Sequence, residues 1–189
     1  MGVGAVPRTF LSRLPSLRRK LGPIKGVSYS TGRKLALSVG AGFAVPHYAA
    51  LEACPVIWVM VPEASLDGVL SSLAEQTVLD KTIVVICATL RESHDFALLK
   101  GARLATLDLI DDSHASGFVA EGHREAVGML RTLMRQEQRQ FLEIRSGSKA
   151  AYLASIQLMT HLTRALFASA INCLQVTGLS RPNAVDMVT

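Results

Sequence analysis

Two glycines at the start of the chain are the first residues whose type and spacing could bind a ligand. The chain opens on Gly2-Val3-Gly4-Ala5-Val6-Pro7. In a dinucleotide-binding turn the first glycine makes a tight bend, and the second lets the backbone approach a pyrophosphate at a helix N-terminus. Pro7 stands where a third glycine would be, and proline is tolerated in a first helical turn. The segment predicts a pyrophosphate-binding turn, with a flexible N-terminus as the alternative.

A second group of candidate ligand-binding residues forms the turn Ser28-Tyr29-Ser30-Thr31-Gly32-Arg33-Lys34, which follows the first predicted strand. A protein that selects NAD usually places Asp or Glu here to bind the ribose hydroxyls. This turn contains no acid, and its hydroxyls together with Arg33 and Lys34 suit a 2′-phosphate. The turn therefore predicts NADP as the cofactor. The alternative is a solvated basic turn that caps a helix.

The N-terminal part of the chain is basic, and its first acidic residue is Glu52. Such a segment could be an organelle transit peptide, a nucleic-acid patch or a surface that binds a phosphorylated ligand. The turn signal Gly22-Pro23 and the strand signal of residues 24–27 favour a folded segment. The basic residues lack the interleaved run of aromatic side chains that a stacking platform needs. We therefore expect a small-molecule ligand and no nucleic acid.

Length and composition limit the remaining possibilities. The chain has 189 residues, of which 49% are hydrophobic and only 5% aromatic, as expected for one α/β domain with a small addition. The longest apolar run, Val56–Val61, is far shorter than the roughly 20 residues that span a bilayer. Cys54, Cys87 and Cys173 have neither metal-ligand nor redox spacing, so we expect no metal, no disulfide framework and a cytoplasmic location.

Short apolar runs alternate with helical patterns along the chain. This alternation predicts an α/β fold with a Rossmann-like parallel sheet. The strand that should precede the glycine turn is not in the sequence, so the first strand is expected to be missing or truncated. Pro15 interrupts the helix that should follow that turn. The predicted strands are Ile24–Tyr29, Gly42–Val45, Val56–Val61, Thr82–Cys87, Arg103–Leu109, Gly117–Ala120 and Gln140–Ile144, and the predicted helices between them are Arg33–Val39, Ser65–Leu79 (capped by Ser65) and His123–Gln138.

The last segment contains neither Gly nor Pro from Lys149 to Thr177, which predicts one long helix capped by Ser146 or Ser148 and ended by Gly178. Its apolar residues lie on more than one face, so more than one face must be covered. We therefore predict a domain of residues 1–145 and a truncated dimerisation domain of residues 146–189. The expected partner is a second copy of the chain.

Several segments, in the same order, resemble a family of NADP-dependent oxidoreductases that are distantly related to pyrroline-5-carboxylate reductase and the β-hydroxyacid dehydrogenases. The matching segments are Gly2-Val3-Gly4, Ser28-Tyr29-Ser30, Val59-Met60-Val61-Pro62-Glu63-Ala64, Val84-Val85-Ile86-Cys87-Ala88, Gly101-Ala102-Arg103-Leu104-Ala105-Thr106-Leu107 and Ser148-Lys149-Ala150-Ala151-Tyr152. The family has a Rossmann-like N-terminal domain and a helical C-terminal domain.

The resemblance implies roles for three places in the chain. Val61 and Pro62, and likewise Cys87 and Ala88, would line the ribose and nicotinamide side of the cofactor. Lys149 would face the nicotinamide and could polarise or protonate a substrate carbonyl or imine. The alternative for Lys149 is an ordinary lysine in the first turn of a helix, on a solvated face. The alternative for Cys87 is a buried strand residue.

Two departures from the family pattern leave two functions open. Relatives tend to carry Ser-Leu-His-Pro where this chain has Thr106-Leu107-Asp108-Leu109, and their helical domain continues further. The first hypothesis is an NADP-binding oxidoreductase that transfers hydride to or from a small carbonyl or imine. The second is a non-catalytic, degenerate Rossmann-like dimer that binds a nucleotide or a protein partner.

Overall fold

A computed structural model of the protein describes residues 5–111 and 116–188. The chain divides into two compact units, with the boundary between Lys149 and Ala150. The strands are β1 (Pro23–Ile24), β2 (Phe43–Ala44), β3 (Val56–Val59), β4 (Ile83–Cys87), β5 (Arg103–Asp111), β6 (Ser116–Gly122) and β7 (Gln140–Glu143). The helices are α1 (Ala5–Arg13), α2 (Pro15–Arg19), α3 (Tyr29–Val39), α4 (Glu63–Gln76), α5 (Arg124–Gln136), α6 (Lys149–Gln157), α7 (Thr163–Val176) and α8 (Arg181–Val188).

The strands of the first unit form two sheets. β1 pairs with β2 in parallel, and the larger sheet has the order β3-β4-β5-β6-β7. β3, β4 and β5 are parallel, with Val59 opposite Ile86 and Ile86 opposite Thr106. Val84, Val85 and Ile86 are almost completely buried, as expected for strands covered by helices on both faces. The predicted α/β class is confirmed.

One pair of strands departs from the predicted parallel arrangement. β5 and β6 are antiparallel, and Thr106 lies opposite Glu121. Only residues 112–115 separate the two strands in sequence, whereas a parallel connection needs a crossover of about a dozen residues or more. The short connection therefore requires the antiparallel arrangement, and β7 then pairs in parallel with β6.

Each face of the larger sheet packs against helices. Phe10, Leu11, Leu14 and Leu17 from α1 and α2 pack on one face, together with buried residues of α5. Leu66, Leu70 and Leu73 from α4 pack on the other face, next to Phe96 from a short 3-10 turn. Each fully buried leucine contributes about 1.5–3 kcal/mol relative to an exposed one, so these two cores stabilise the edge of the sheet that carries the candidate site.

Several predicted boundaries are wrong by a few residues. The strand expected over Ile24–Tyr29 stops at Ile24, because Ser28 caps α3 and Tyr29 begins it. α4 begins at Glu63 after Pro62, so Ser65 lies inside the helix rather than at its cap. Pro62 has no amide hydrogen to donate to the carbonyl four residues before it, so the helix does not extend further towards the N-terminus. The predicted break at Pro15 is confirmed: α1 ends at Arg13 and α2 begins at Pro15.

The second unit is helical. α6 and α7 are joined without a break by the π-helical turn Leu158–Leu162, so the predicted long helix runs from Lys149 to Val176. Gly178 follows with a φ of 91°, as expected of a residue that ends a helix. Leu158, Met159, Leu162, Leu166 and Phe167 are exposed along this helix. In the part of the chain that the structure describes, no helix is long and apolar enough to cross a bilayer.

Candidate functional site

The turn between β1 and α3 is shaped by one glycine and one serine. A Cβ at Gly26 would lie 2.5 Å from the backbone nitrogen of Gly32, so only glycine fits this approach. The Ser28 side chain accepts a hydrogen bond from the Thr31 amide at 3.1 Å, and its hydroxyl lies 2.8 Å from that of Thr31. The start of α3 is therefore fixed at this serine.

The residues predicted to bind a 2′-phosphate are gathered at this turn. Ser28, Tyr29, Ser30, Arg33 and Lys34 are all exposed, and the first turn of α3 contains no acidic residue. A helix N-terminus carries a partial positive charge that favours anions. The arrangement fits a phosphate. Ser28 also caps the helix. The turn therefore fits the alternative prediction as well, a solvated basic turn that caps a helix.

The second predicted region lies at the carboxyl ends of β3 and β4, which are adjacent and parallel. Val61 is buried and Pro62 is exposed. Ala88 is exposed and has a φ of 56°, a left-handed conformation that is uncommon for a residue with a Cβ. The structure brings these two turns to one edge of the sheet, where ligands bind in open α/β folds.

Glu63 connects these two turns. Its carboxylate accepts hydrogen bonds from the Thr89 hydroxyl at 3.2 Å and from the Leu90 amide at 3.3 Å. The acid also sits in the first turn of α4, where the helix dipole stabilises it. A carboxylate at this place disfavours a phosphate, so this part of the edge suits a ribose or a neutral ring better than a pyrophosphate.

Cys87 ends β4 and is only 1% exposed. Burial raises the pKa of its thiol well above the usual range, and the negative charge of Asp108 raises it further. The thiol is therefore neutral at physiological pH, which excludes it as a nucleophile. Its burial fits the alternative of a buried strand residue, and its predicted place beside the cofactor stays a prediction.

Lys149 lies at the first position of α6 and is only 1% exposed. Its Nζ lies 2.6 Å from Oδ2 of Asp108 and donates to the Thr106 hydroxyl at 3.2 Å. The expectation of a solvated first-turn lysine is therefore wrong: the ammonium group is enclosed and paired. A buried cation needs such a partner, since an unpaired one would carry a large desolvation penalty.

Asp108 is the member of the pair that reaches the surface, with a side chain that is 18% exposed. Burial raises the pKa of this carboxyl, and the charge of Lys149 and a hydrogen bond from the Thr89 backbone partly offset that rise. A carboxyl with a raised pKa takes up a proton more readily than an ordinary one and can pass it to a bound molecule. Asp108 stands where the related family tends to carry a histidine.

A second buried acid supports the pair. Glu121 is 1% exposed, and its carboxylate accepts from the Thr106 hydroxyl at 2.7 Å, from the Ser93 amide and hydroxyl at 2.7 and 2.8 Å, and from the Ser146 hydroxyl at 3.2 Å. Thr106 therefore connects Lys149 to Glu121. Such a network holds side chains in fixed positions when every member is satisfied.

Glu92 fixes the start of α6. Its carboxylate accepts from the backbone amides of Gly147 and of Lys149, the latter at 2.8 Å. This carboxylate comes from a residue distant in sequence, and the Ser146 hydroxyl, one of the two predicted caps, binds Glu121 instead. Ser148 directly precedes the helix, and its capping role stays a prediction. The sequence analysis missed Asp108, Glu121 and Glu92. A signal was available for Asp108, since Thr106 and Asp108 lie on one face of a strand by their spacing of two.

The glycine turn lies mostly outside the residues that the structure describes. Gly2, Val3 and Gly4 lie outside the described residues, while Ala5 and Val6 are the first two residues of α1. The start of a helix directly after the second glycine agrees with the predicted order of turn and helix. The pyrophosphate-binding role of these five residues stays a prediction.

Comparisons with solved structures show the fold of the whole chain. The putative NADP oxidoreductase of Bacteroides fragilis superposes with a TM-score of 0.80 at 12% identity, over 99% of this chain and 74% of that one. A pyrroline-5-carboxylate reductase of Coxiella burnetii gives 0.69 at 12% identity, over 99% and 73%. An imine reductase of Bacillus cereus gives 0.69 at 15%, over 98% and 69%.

No protein-family model and no curated protein sequence matches the chain. At these low identities the structural likeness shows the fold and no more. The predicted Rossmann-like fold is thereby confirmed, and the resemblance found in the sequence is supported at the level of the fold: this chain has the fold that these three proteins share.

Proposed function

We propose that this protein binds NADP and transfers hydride to or from a small carbonyl or imine substrate, with Lys149 and Asp108 at the reacting end of the site. The observation that carries the proposal is the 2.6 Å ion pair between these two side chains, next to the carboxyl ends of β4 and β5. The fold shared with NADP, pyrroline-5-carboxylate and imine reductases supports it.

NADP would contact the residues predicted from the sequence. Ser28, Ser30, Arg33 and Lys34, with Tyr29 beside them, would hold the 2′-phosphate at the exposed start of α3. The turn from Gly2 to Val6 would bind the pyrophosphate. Val61, Pro62, Cys87 and Ala88 would line the inner part of the site; because Val61 and Cys87 are buried, they would contribute mainly through their backbone. The cofactor supplies hydride when bound.

The protein's own contribution at the reacting end is to hold a proton. Asp108 is exposed enough to reach a bound substrate. Because its pKa is raised, it takes up a proton from solvent more readily than an ordinary carboxyl, and it would give that proton to a developing alkoxide or to an imine nitrogen. The Lys149 side chain, which lies beside Asp108, would stabilise the carboxylate left after the proton has moved. Thr106 would orient Lys149 by accepting a hydrogen bond from its Nζ, and Glu121 would hold Thr106 by accepting from its hydroxyl.

Turnover tests this proposal. The protein should oxidise NADPH in the presence of small ketones, aldehydes or cyclic imines, measured by the loss of nicotinamide absorbance. Asp108→Asn keeps the shape of the side chain but holds no exchangeable acid proton, and it should lower kcat by roughly 100-fold or more, the usual contribution of a positioned acid. Equal turnover by the wild type and the variant would remove Asp108 from the reaction.

A second function is favoured by the same geometry. Lys149 is 1% exposed and both of its polar contacts lie inside the protein, which is also what a purely structural ion pair looks like. In this alternative the protein is a non-catalytic Rossmann-like dimer that binds a nucleotide or a protein. Saturable NADPH binding without turnover on any substrate of the panel would support this alternative over an enzyme.

Both functions include a homodimer formed through the long helix, in a cytoplasmic protein. Met159 and Leu166 are 70% and 71% exposed on this helix, and large apolar patches on a soluble protein commonly mark an interface. Sedimentation at micromolar concentration should report a dimer. Leu166→Glu should shift the protein towards the monomer, whereas Gln175→Glu, an exposed change near the end of α7, should not. A monomeric wild-type protein would contradict the interface.

A further inference from the structure

The backbone of Lys149 is held by a carboxylate from a distant part of the chain. Oε1 of Glu92 accepts a hydrogen bond from the Lys149 amide at 2.8 Å, and Oε2 accepts from the Gly147 amide. The Glu92 side chain is only 11% exposed, so little water competes for these amides. Hydrogen bonds from backbone amides to a carboxylate are charge-assisted and stronger than neutral ones. Both oxygens of Glu92 therefore fix the chain where α6 begins.

The turn before α6 directs these two amides to the same carboxylate. Gly147 has a φ of 87°, a left-handed conformation that residues with a Cβ rarely adopt. The amide of Ser148, between the two, donates instead to the Arg145 carbonyl at 3.0 Å. The amides of Gly147 and Lys149 thereby converge on Glu92, and the positive φ of Gly147 is part of this arrangement.

The side chain of Lys149 is held at its other end as well. Its Nζ lies 2.6 Å from Oδ2 of Asp108 and donates to the Thr106 hydroxyl at 3.2 Å, and the residue is only 1% exposed. A side chain that is enclosed along its length in a closely packed interior has little room to change its rotamer. A displacement of the Lys149 backbone is therefore passed on to the ammonium group and changes its distance from Asp108.

Two consecutive residues, Glu92 and Ser93, reach both ends of this lysine. Glu92 binds its backbone, while Ser93 donates its amide and its hydroxyl to Glu121 at 2.7 and 2.8 Å. Glu121 accepts from the hydroxyl of Thr106, and that hydroxyl accepts from Nζ of Lys149. The contact of Ser93 with the lysine thus passes through two further side chains, whereas the contact of Glu92 is direct.

We propose that Glu92 is a positioning residue for the reaction, which sets the distance between the Lys149 ammonium group and the Asp108 carboxyl by holding the Lys149 backbone. This inference rests on the proposed function, in which these two side chains lie at the reacting end. Glu92 would act through Lys149 and not on the substrate, because its carboxylate is occupied by backbone amides. A misplacement of about 1 Å can lower a rate roughly 100-fold, so such a contact can control turnover.

The titration of Asp108 tests this role without any turnover. The charge of Lys149 lowers the pKa of Asp108, so a displaced lysine lowers it less. Glu92→Gln keeps the size of the side chain but has one acceptor oxygen in place of two, so one of the two amide contacts is lost. The pKa of Asp108, followed by ¹³C NMR of its carboxyl carbon, should rise in Glu92→Gln and should rise further in Lys149→Met.

The sign of this change separates the displaced lysine from a simple loss of charge. Removal of the negative charge of Glu92 would by itself lower the pKa of Asp108, since a nearby negative charge raises the pKa of a carboxyl. The matched variant Glu75→Gln changes an exposed glutamate of α4 and should leave the pKa unaltered. An unchanged or lowered pKa of Asp108 in the folded Glu92→Gln variant would overturn the proposal.

Kinetics test the same role in the reaction itself. Glu92→Gln should lower kcat about tenfold and leave the KM for NADPH unchanged, because Glu92 lies outside the turn proposed to bind the 2′-phosphate. A double-mutant cycle gives the sharper comparison. In the Lys149→Met background the lysine that Glu92 positions is gone, so Glu92→Gln should cause no further loss of kcat. Additive losses, or an unchanged kcat in Glu92→Gln alone, would contradict the proposal.

The failure of this inference and the failure of the proposed function are distinguishable. A wild-type protein without turnover would remove the reaction and the kinetic role of Glu92, whereas the titration of Asp108 would still show whether Glu92 positions Lys149. If Glu92→Gln does not fold by circular dichroism, Gly147→Ala replaces it. A Cβ disfavours the φ of 87° at this position, so this variant should loosen the same two amides and should also raise the pKa of Asp108. An unchanged pKa in folded Gly147→Ala would count against the proposal.

Discussion

The network around Lys149 and the cavity between β1 and β3 lie in the same compact unit and are built on opposite principles. In the network the charged and polar side chains find partners within the protein: Lys149 binds Asp108, and Glu121 is held by Ser93, Thr106 and Ser146. At the cavity, two strand edges face a space of about 680 Å³. In the first region the protein itself supplies partners for its buried charges, whereas in the second it leaves a cavity beside two strand edges.

Removing Lys149 should have the largest effect. Lys149→Met leaves the Asp108 carboxylate without its counter-charge in a largely enclosed position. The free energy of unfolding should fall by about 3 kcal/mol at neutral pH, the lower end for a broken buried pair, because Asp108 is partly exposed and can take up a proton. Urea unfolding measures this loss. The double variant Lys149→Met/Asp108→Leu should recover most of it; no recovery would show that the ion pair is not its cause.

The pH dependence sharpens this prediction. A carboxyl whose pKa is raised in the folded protein stabilises the fold fully below its ordinary pKa, and that contribution is lost as pH rises through the raised value. The charge of Lys149 lowers the pKa of Asp108. In Lys149→Met the loss should therefore extend to higher pH, so that acidification rescues the variant more than the wild type. Parallel stability profiles for the two proteins would contradict this account of the pair.

The smallest effect is expected at the cap of α3. Ser28→Ala removes the acceptor for the Thr31 amide and should cost about 1 kcal/mol of stability, since this cap is exposed. Ser28→Asp retains a capping side chain and should keep the stability. It should nevertheless weaken an anion bound at this helix start, which separates the structural role of Ser28 from its proposed role towards NADP.

Periodic patterns predicted the fold well. The apolar runs of β3 and β4 and the helical spacing of Ala126, Val127, Leu130 and Met134 in α5 correspond to buried surfaces. Local signals also gave the break at Pro15 and the helix end at Gly178. These features depend on neighbours in sequence, so a single chain contains enough information to place them.

The candidate site was predicted only in part, because its contacts join residues that are far apart in sequence. Lys149 was named from a resemblance, but Asp108 and Glu121 become its neighbours only through the antiparallel pairing of β5 and β6. The cap from Glu92 to Gly147 likewise joins two distant segments.

Direct titration with NADPH and with NADH tests the central claim, that the basic turn at α3 selects a 2′-phosphate. NADPH should bind saturably and more tightly than NADH. Arg33→Ser should weaken NADPH roughly tenfold or more, the value of a hydrogen bond to a charged group, while NADH binding and the control Arg124→Ser stay unchanged. If NADH bound as tightly as NADPH, or if Arg33→Ser left NADPH affinity unaltered, the assignment of this turn to the phosphate would be wrong.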